Sequence, residues 1–294
     1  MMQVIPLRYG VAFKKAFGDP VVFSAFASDV LGMSVQVDTV DKEYSFTEPV
    51  GRVKVEYDLF AEDTTHRLII EVQHVREQDF FDRFLHYHLV ALVEQAESHE
   101  QYRMQREVYT LVVLTTAPRD KELRFSVATM TMDPVTEQGE GLGVFKHRMV
   151  FLNPRVINDR TPPGIRKWME LIADSLDGQV DEARYADPIR QRVLSSIRKG
   201  TESPEELARI KDEAAWEETK ATARKEGRDE GRAEEQRSGV LRRFERRLGR
   251  SLAEGERAAV LSRLASLGAE RLDDLVLGAD AEALAAWLAG DETR

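Results

Sequence analysis

The run YDLFAEDTTHRLIIEVQ, residues 57–73, reads as two strands joined by a tight polar turn. Side chains of a strand alternate between its faces. Before the turn, Val53, Val55, Tyr57 and Leu59 therefore share one face, and Lys54, Glu56, Asp58 and Phe60 the other. After it, Leu68, Ile70, Val72 and His74 lie opposite Ile69, Glu71 and Gln73. If Asp63-Thr64 is the two-residue loop, Glu62 faces Thr65 and Asp58 faces Ile69. Asp58, Glu71 and Gln73 then point to the same side, with diagonal neighbours roughly 7–8 Å apart at Cα. A register slip of one residue would send the two acids to opposite faces.

Two carboxylates beside a buried strand cost free energy unless a positive charge joins them. Mg²⁺ or Mn²⁺ suits such a pair, because both are hard ions that prefer oxygen and keep several waters. An ion of this kind lowers the pKa of a bound water and neutralises charge on a phosphate.

Outward from this hairpin, the chain before it reads as helix. Phe13, Phe17, Val21, Phe26 and Val30 roughly keep a 3.6-residue period, interrupted at Gly18-Asp19-Pro20. Asp19 suits a helix N-cap, Pro20 a first turn and Gly32 a helix end. Residues 39–46 and 52–62 read as strands, followed by the strand 65–74. Residues 77–98 form an amphipathic helix, and the β-branched run VYTLVVLTT within 107–116 a buried strand. Residues 125–131 and 147–152 are further strand candidates. Thr161-Pro162-Pro163 opens a helix that carries Trp168, Leu171 and Ile172. The expected fold is α/β, one mixed sheet with helices on its faces, followed by an α-helical C-terminal region.

At these residues the chain resembles the PD-(D/E)XK nuclease superfamily, and within it the recombination-promoting nuclease (Rpn) and putative transposase families. YDLFAEDTTHRLIIEVQ is similar to their core hairpin, FKKAF (residues 13–17) to their first helix, and RFLHYH (residues 83–88) to the helix after the Glu-x-Gln strand. VYTLVVLTT resembles their last core strand, and FLNPRVINDRTPPGIRKWMELI the segment on its C-terminal side. From Gly239 onward, LRRFERRLGR and its Leu/Ala helices resemble a small uncharacterised domain often appended to them.

The resemblance implies a restriction-endonuclease-like fold and metal-dependent hydrolysis of DNA phosphodiester bonds, leaving a 5′-phosphate, in a recombination or transposase-like setting. It implies Asp58 and Glu71 as ligands of Mg²⁺ or Mn²⁺, the backbone carbonyl of Val72 as a third, and Gln73 as the residue that positions the attacking water. Two positions depart from the pattern. Gln73 stands where many relatives have Lys and brings no charge. Gly10 stands where relatives often carry an acid, a place that Glu56, on the Asp58 face, would have to fill. Arg83 and Tyr87, four apart on one helical face, suit either a phosphate clamp or a support for Glu71. A catalytically weak or inactive nuclease-fold protein that binds nucleic acid or protein is the alternative. Lys14 and Lys15 read as a solvated helix face sooner than as DNA contacts, and His74 as a satisfied core histidine.

Composition narrows the remaining classes. The 294 residues include no cysteine, which excludes disulfides, thiol nucleophiles and Cys-ligated metals. The net charge of −10 argues against non-specific coating of nucleic acid. No apolar run approaches the ~20 residues of a membrane helix, and MMQVIPLRYG is no signal peptide, so a cytoplasmic protein with no membrane partner is expected. P-loop, dinucleotide-binding and Gly-x-Ser-x-Gly patterns are missing. His86, His88 and His99 lack metal-site spacing.

Residues 1–200 read as the nuclease-like domain. Residues 201–238 read as a charged, exposed helical linker that Gly227 and Gly231 would weaken or kink by about 1 kcal/mol each. Residues 239–294 read as a small helical domain whose apolar positions (Leu241, Phe244, Leu248, Val260, Leu264, Leu267, Leu272, Leu275, Leu284 and Trp287) suit a helical bundle or a contact in a homo-oligomer. Arg242, Arg243, Arg246, Arg247 and Arg250 form the most basic local patch, read first as a solvated face.

Overall fold

The computed structural model describes residues 1–47, 53–74, 80–96, 104–116 and 124–290. Its first unit spans residues 1–213 and its second residues 214–294. Within the first unit, β2 (Asp41–Tyr44), β3 (Tyr57–Glu62), β4 (His66–Gln73), β5 (Glu107–Leu114), β6 (Val127–Thr131) and β7 (Arg148–Leu152) form a mixed sheet in the order β2-β3-β4-β5-β7-β6. The β4–β5 and β5–β7 pairs are parallel, and the flanking pairs are antiparallel. Two short strands, β1 (Met2–Gln3) and β8 (Gln179–Val180), pair separately. The mixed α/β architecture expected from the sequence is present. The expected helix 77–98 and strand 52–62 each begin or end outside the described residues, as does His99; the described parts are α3 (Phe80–Val93) and β3.

The β3–β4 register differs from the two-residue loop. Glu62 faces Arg67, Phe60 faces Ile69 and Leu59 faces Ile70, so residues 63–66 make the turn. Asp63 is the cause. Its Oδ1 accepts the backbone N–H groups of both Thr65 and His66 at 2.7 Å, and its own N–H donates to the His66 carbonyl at 3.0 Å, which closes the turn. The shift is by two residues, so each side chain keeps its face. Continuing the register by one position sets Asp58 opposite Glu71.

The buried strand positions recruit the helices. Val90, Ala91 and Leu92 of α3 pack on Phe60, Ile69 and Val108, while Phe80 and Phe84 meet Val112 and Leu114. By alternation, the α3-facing side of β3 and β4 also carries Asp58, Glu71 and Gln73. α1 (Gly10–Phe17) packs on α5 (Pro188–Ile197), and α2 (Pro20–Leu31) packs on both α5 and α4 (Pro163–Ser175). Phe17 sits at the centre of these helices, within 4.4 Å of the Phe13 ring centroid, 5.0 Å of Phe26 and 5.9 Å of Trp168. Asp19 caps α2 through Val21 and Val22, and Gly32 ends it in the left-handed region. The break at residues 18–20 resets the helical phase, so Val21 is half exposed while Val22 and Phe23 are buried.

α6 runs unbroken from Pro204 to Leu248, through both glycines. The Ala-, Glu-, Lys- and Arg-rich flanks are strong helix formers, and a cost of about 1 kcal/mol per glycine does not end a helix of this length. In the second unit, α7 (Glu254–Leu267), α8 (Ala269–Gly278) and α9 (Ala281–Ala289) enclose Val240, Phe244, Val260, Leu272, Leu284 and Leu288. Leu267 lies outside that core, half exposed. Arg243, Arg247 and Arg250 bind Asp273, the Ala279 carbonyl and Glu256, so these three members of the basic patch join parts of their own unit. No described helix is long and apolar enough to cross a membrane.

The Asp63 turn fixes where Asp58 meets Glu71. Asp63→Ala is expected to cost about 1–2 kcal/mol, since two backbone donors lose their acceptor; urea unfolding of the full chain measures it.

Candidate active site

Where β3 meets the end of β4, side chains replace part of the backbone ladder. The Asp58 N–H donates to Glu71 Oε1 at 3.1 Å, and the Val72 N–H donates to Asp58 Oδ2 at 3.0 Å. The two carboxylates thus interlock across the hairpin, each held by a backbone amide of the neighbouring strand. Glu71 is 1% exposed and Gln73 8%; the Asp58 side chain is 24% exposed. Burial pushes the Glu71 carboxyl well above the usual range, and the nearby Asp58 charge adds to the shift. Burial also raises Asp58, against the pull of the Val72 N–H, Lys14 and Arg83. Two acids in this state form a site that favours a cation or a shared proton.

Arg83, on α3, donates from Nη1 to Gln73 Oε1 at 3.3 Å. Its guanidinium lies 5.3 Å from the ring centroids of both Phe84 and Tyr87. Tyr87 in turn accepts the Tyr57 hydroxyl at its backbone carbonyl, 3.0 Å away. Arg83 Nε is buried with no hydrogen-bond partner among the described residues. Burial, which alone would lower the Arg83 pKa, is outweighed by Tyr87, Glu71 and Asp58, so the group stays charged. The expected helix pair therefore meets the hairpin, with Arg83 touching Gln73 directly.

Glu56 does not join the acids. It is exposed and precedes β3. The carboxylate that stands beside Gly10 comes instead from α6: Glu213 Oε2 accepts the Gly10 N–H at 2.8 Å, and a Cβ on residue 10 would lie 3.6 Å from Glu213 Oε1. Glu213 thereby supplies the cap that Tyr9, the N-cap residue of α1, does not. Lys14 departs from the expected solvated face. Its side chain is 16% exposed, with Nζ 2.8 Å from Glu43 Oε1 and 3.7 Å from Asp58 Oδ1. Lys15 binds Glu206 and the Thr201 carbonyl.

Sequence reasoning missed Glu43 and Glu213. Glu213 is 203 residues from its partner, and no local pattern marks it. Glu43 has one local signature, an acid opposite Asp58 on the neighbouring strand, but its orientation comes from an unusual backbone angle.

Two described histidines bond elsewhere than to the paired acids. His74 bonds Thr115 at 3.0 Å and is lowered to about 4 by burial and by Arg8 and Arg155. His88 is fully buried against Thr110.

The family profile for PD-(D/E)XK nuclease family transposases matches residues 11–223. This chain belongs to that family. The matched stretch takes in β2–β7, the Asp58–Glu71 hairpin and Glu213. The fold and the resemblance seen in the sequence agree with it, and membership implies nuclease-like chemistry. No match was found among curated proteins or among solved structures.

Among the described residues no three His, Asp or Glu side chains converge as a metal site, so a bound ion would rest on the two acids, backbone oxygen and water. That donor set is all hard oxygen and suits Mg²⁺ or Mn²⁺, which retain water ligands.

The raised carboxyls fix a sign for stability. A group whose folded pKa exceeds its unfolded value binds more protons when folded, so metal-free stability falls as pH rises above the ordinary carboxylate range. Glu71→Gln removes that loss while keeping an oxygen to accept the Asp58 N–H. At pH 7.5 the metal-free variant is expected to be more stable than the parent by roughly 1–3 kcal/mol. The gap should close towards pH 4, as read by urea titrations at both pH values.

Proposed function

We propose that this chain is a Mg²⁺- or Mn²⁺-dependent endonuclease acting on DNA phosphodiester bonds in a recombination or transposase-like setting. The observation that carries the reading is the interlocked Asp58–Glu71 pair, in which burial shifts both carboxyls towards their neutral forms against the pull of Lys14 and Arg83. Asp58 and Glu71, with the Val72 carbonyl, would hold the ion. When bound, the ion supplies neutralisation of the phosphate and a more acidic water.

The remaining roles fall to side chains. Gln73 can hydrogen-bond the attacking water but cannot add charge to the reaction. Arg83 orients the Gln73 oxygen and keeps a positive charge near both acids. Tyr87 packs against the guanidinium and limits its motion. Burial of the acids on the α3-facing side strengthens every electrostatic contact there relative to water. An acidic chain with a local anion-binding site fits an enzyme that engages one phosphate at a time better than a protein that coats nucleic acid.

Supercoiled plasmid incubated with Mg²⁺ or Mn²⁺ tests the reading. Nicking by the parent is expected, with a loss of about 100-fold or more in Asp58→Ala and in Glu71→Ala. Equal nicking by all three proteins would defeat the assignment. DNA binding without nicking, unchanged by either substitution, would instead favour a binding module.

A further inference from the structure

A nuclease site built on Gln73 lacks the ammonium that a lysine at that position would bring, and α1 brings one beside Asp58. Lys14 Nζ stands 3.7 Å from Asp58 Oδ1, the oxygen of that carboxylate not engaged by the Val72 N–H. It is fixed from the other side by Glu43, whose Oε1 lies 2.8 Å from the ammonium and 2.9 Å from Arg209 Nη1. Glu43 adopts φ 54°, the one positive φ recorded for a non-glycine residue among those described. Such a conformation costs on the order of 1–2 kcal/mol, and persists where the surroundings impose it. Here it occurs on the strand residue that faces Asp58, and its carboxylate is turned onto Lys14.

The ammonium is also reachable. A cleft of about 230 Å³ opens at Lys14, with Lys15, Lys42 and Arg209 along its walls beside three glutamates. Lys14 stands in the wall of that cleft and links it to Asp58, which lies 3.7 Å from the ammonium. Arg83 is engaged instead with Gln73 and two aromatic rings.

We propose that Lys14 is a catalytic residue that supplies, from α1, the cationic contact to the reacting phosphate that Gln73 cannot make, with Glu43 as its positioning residue. This rests on the nuclease reading above. In the step it would assist, the oxygen of water bonds to phosphorus and the bond from phosphorus to the 3′ oxygen breaks. The hydroxyl of the water stays on the new 5′-phosphate, and its proton ends on the departing 3′ oxygen. Lys14 remains an ammonium throughout and stabilises the charge gathered on the non-bridging oxygens. Burial alone would lower its pKa, but the bond to Glu43 and the charges of Asp58, Glu43 and Glu213 more than offset this.

A metal ligand and a phosphate contact separate cleanly. Removing a ligand weakens metal binding; removing a cation beside a ligand does not. The test measures plasmid nicking and, by calorimetry, Mn²⁺ binding for the parent, Asp58→Asn, Lys14→Met, Lys14→Arg and the double variant Lys14→Met/Gln73→Lys. Lys14→Met is expected to bind Mn²⁺ at least as tightly as the parent while its kcat falls by about 100-fold. Lys14→Arg, or the lysine moved to position 73, should recover at least about tenfold of that loss. Asp58→Asn should lose both metal and rate. Parent-like nicking by Lys14→Met overturns this proposal alone, as does loss of Mn²⁺ binding in that variant, or no recovery in either the Arg or the transplanted protein. Absence of nicking by the parent overturns the nuclease reading and this proposal with it.

Discussion

The exchange of backbone bonds between Asp58 and Glu71 is the constraint on which the site depends. An antiparallel pair would ordinarily satisfy its amides with carbonyls. Here two carboxylates take that part: Glu71 accepts the Asp58 N–H, and Asp58 accepts the Val72 N–H. The bonds tie both side chains to the neighbouring strand. Repulsion between the acids is therefore built into the hairpin, and a rotamer change that relieved it would break one of these bonds. Relief must come from protons, from Lys14 and Arg83, or from a bound cation, and this makes the pocket selective for positive charge before any substrate arrives.

That hairpin was legible in the sequence because its logic is local. Alternation places Asp58, Glu71 and Gln73 on one face whichever even-numbered register the turn selects. The loop assumed from Asp63-Thr64 was two residues too short, yet the facial assignment survived, since only an odd slip would have reversed it. The Asp19–Pro20 helix start and the Gly32 stop were equally readable, because caps and left-handed termini depend on neighbouring residues alone. The Val21 position was misjudged for a related reason: a period carried across a helix break ignores the change of phase.

What the sequence could not show is how distant segments complete the pocket. Lys14 sits on an amphipathic helix where a charged residue ordinarily faces water, and only the approach of Glu43 and Asp58 draws it inward. Glu56 had the right parity on its strand but lies ahead of the paired portion, where parity alone carries no burial. The empty acidic position at Gly10 was visible as a departure from the resemblance. Its occupation by Glu213 was not, for no periodicity links two residues on opposite sides of the sheet-forming segment.

That last contact has a bearing on where the first unit can be cut. The opening stretch of α6, roughly three turns to Glu213, contributes an acceptor to the exposed amide end of α1, the helix that bears Lys14. A chain shortened ahead of residue 204 would retain the described strands and both interlocked acids, but would lose the acceptor at that helix end. The first unit therefore extends past α5 into the opening turns of α6.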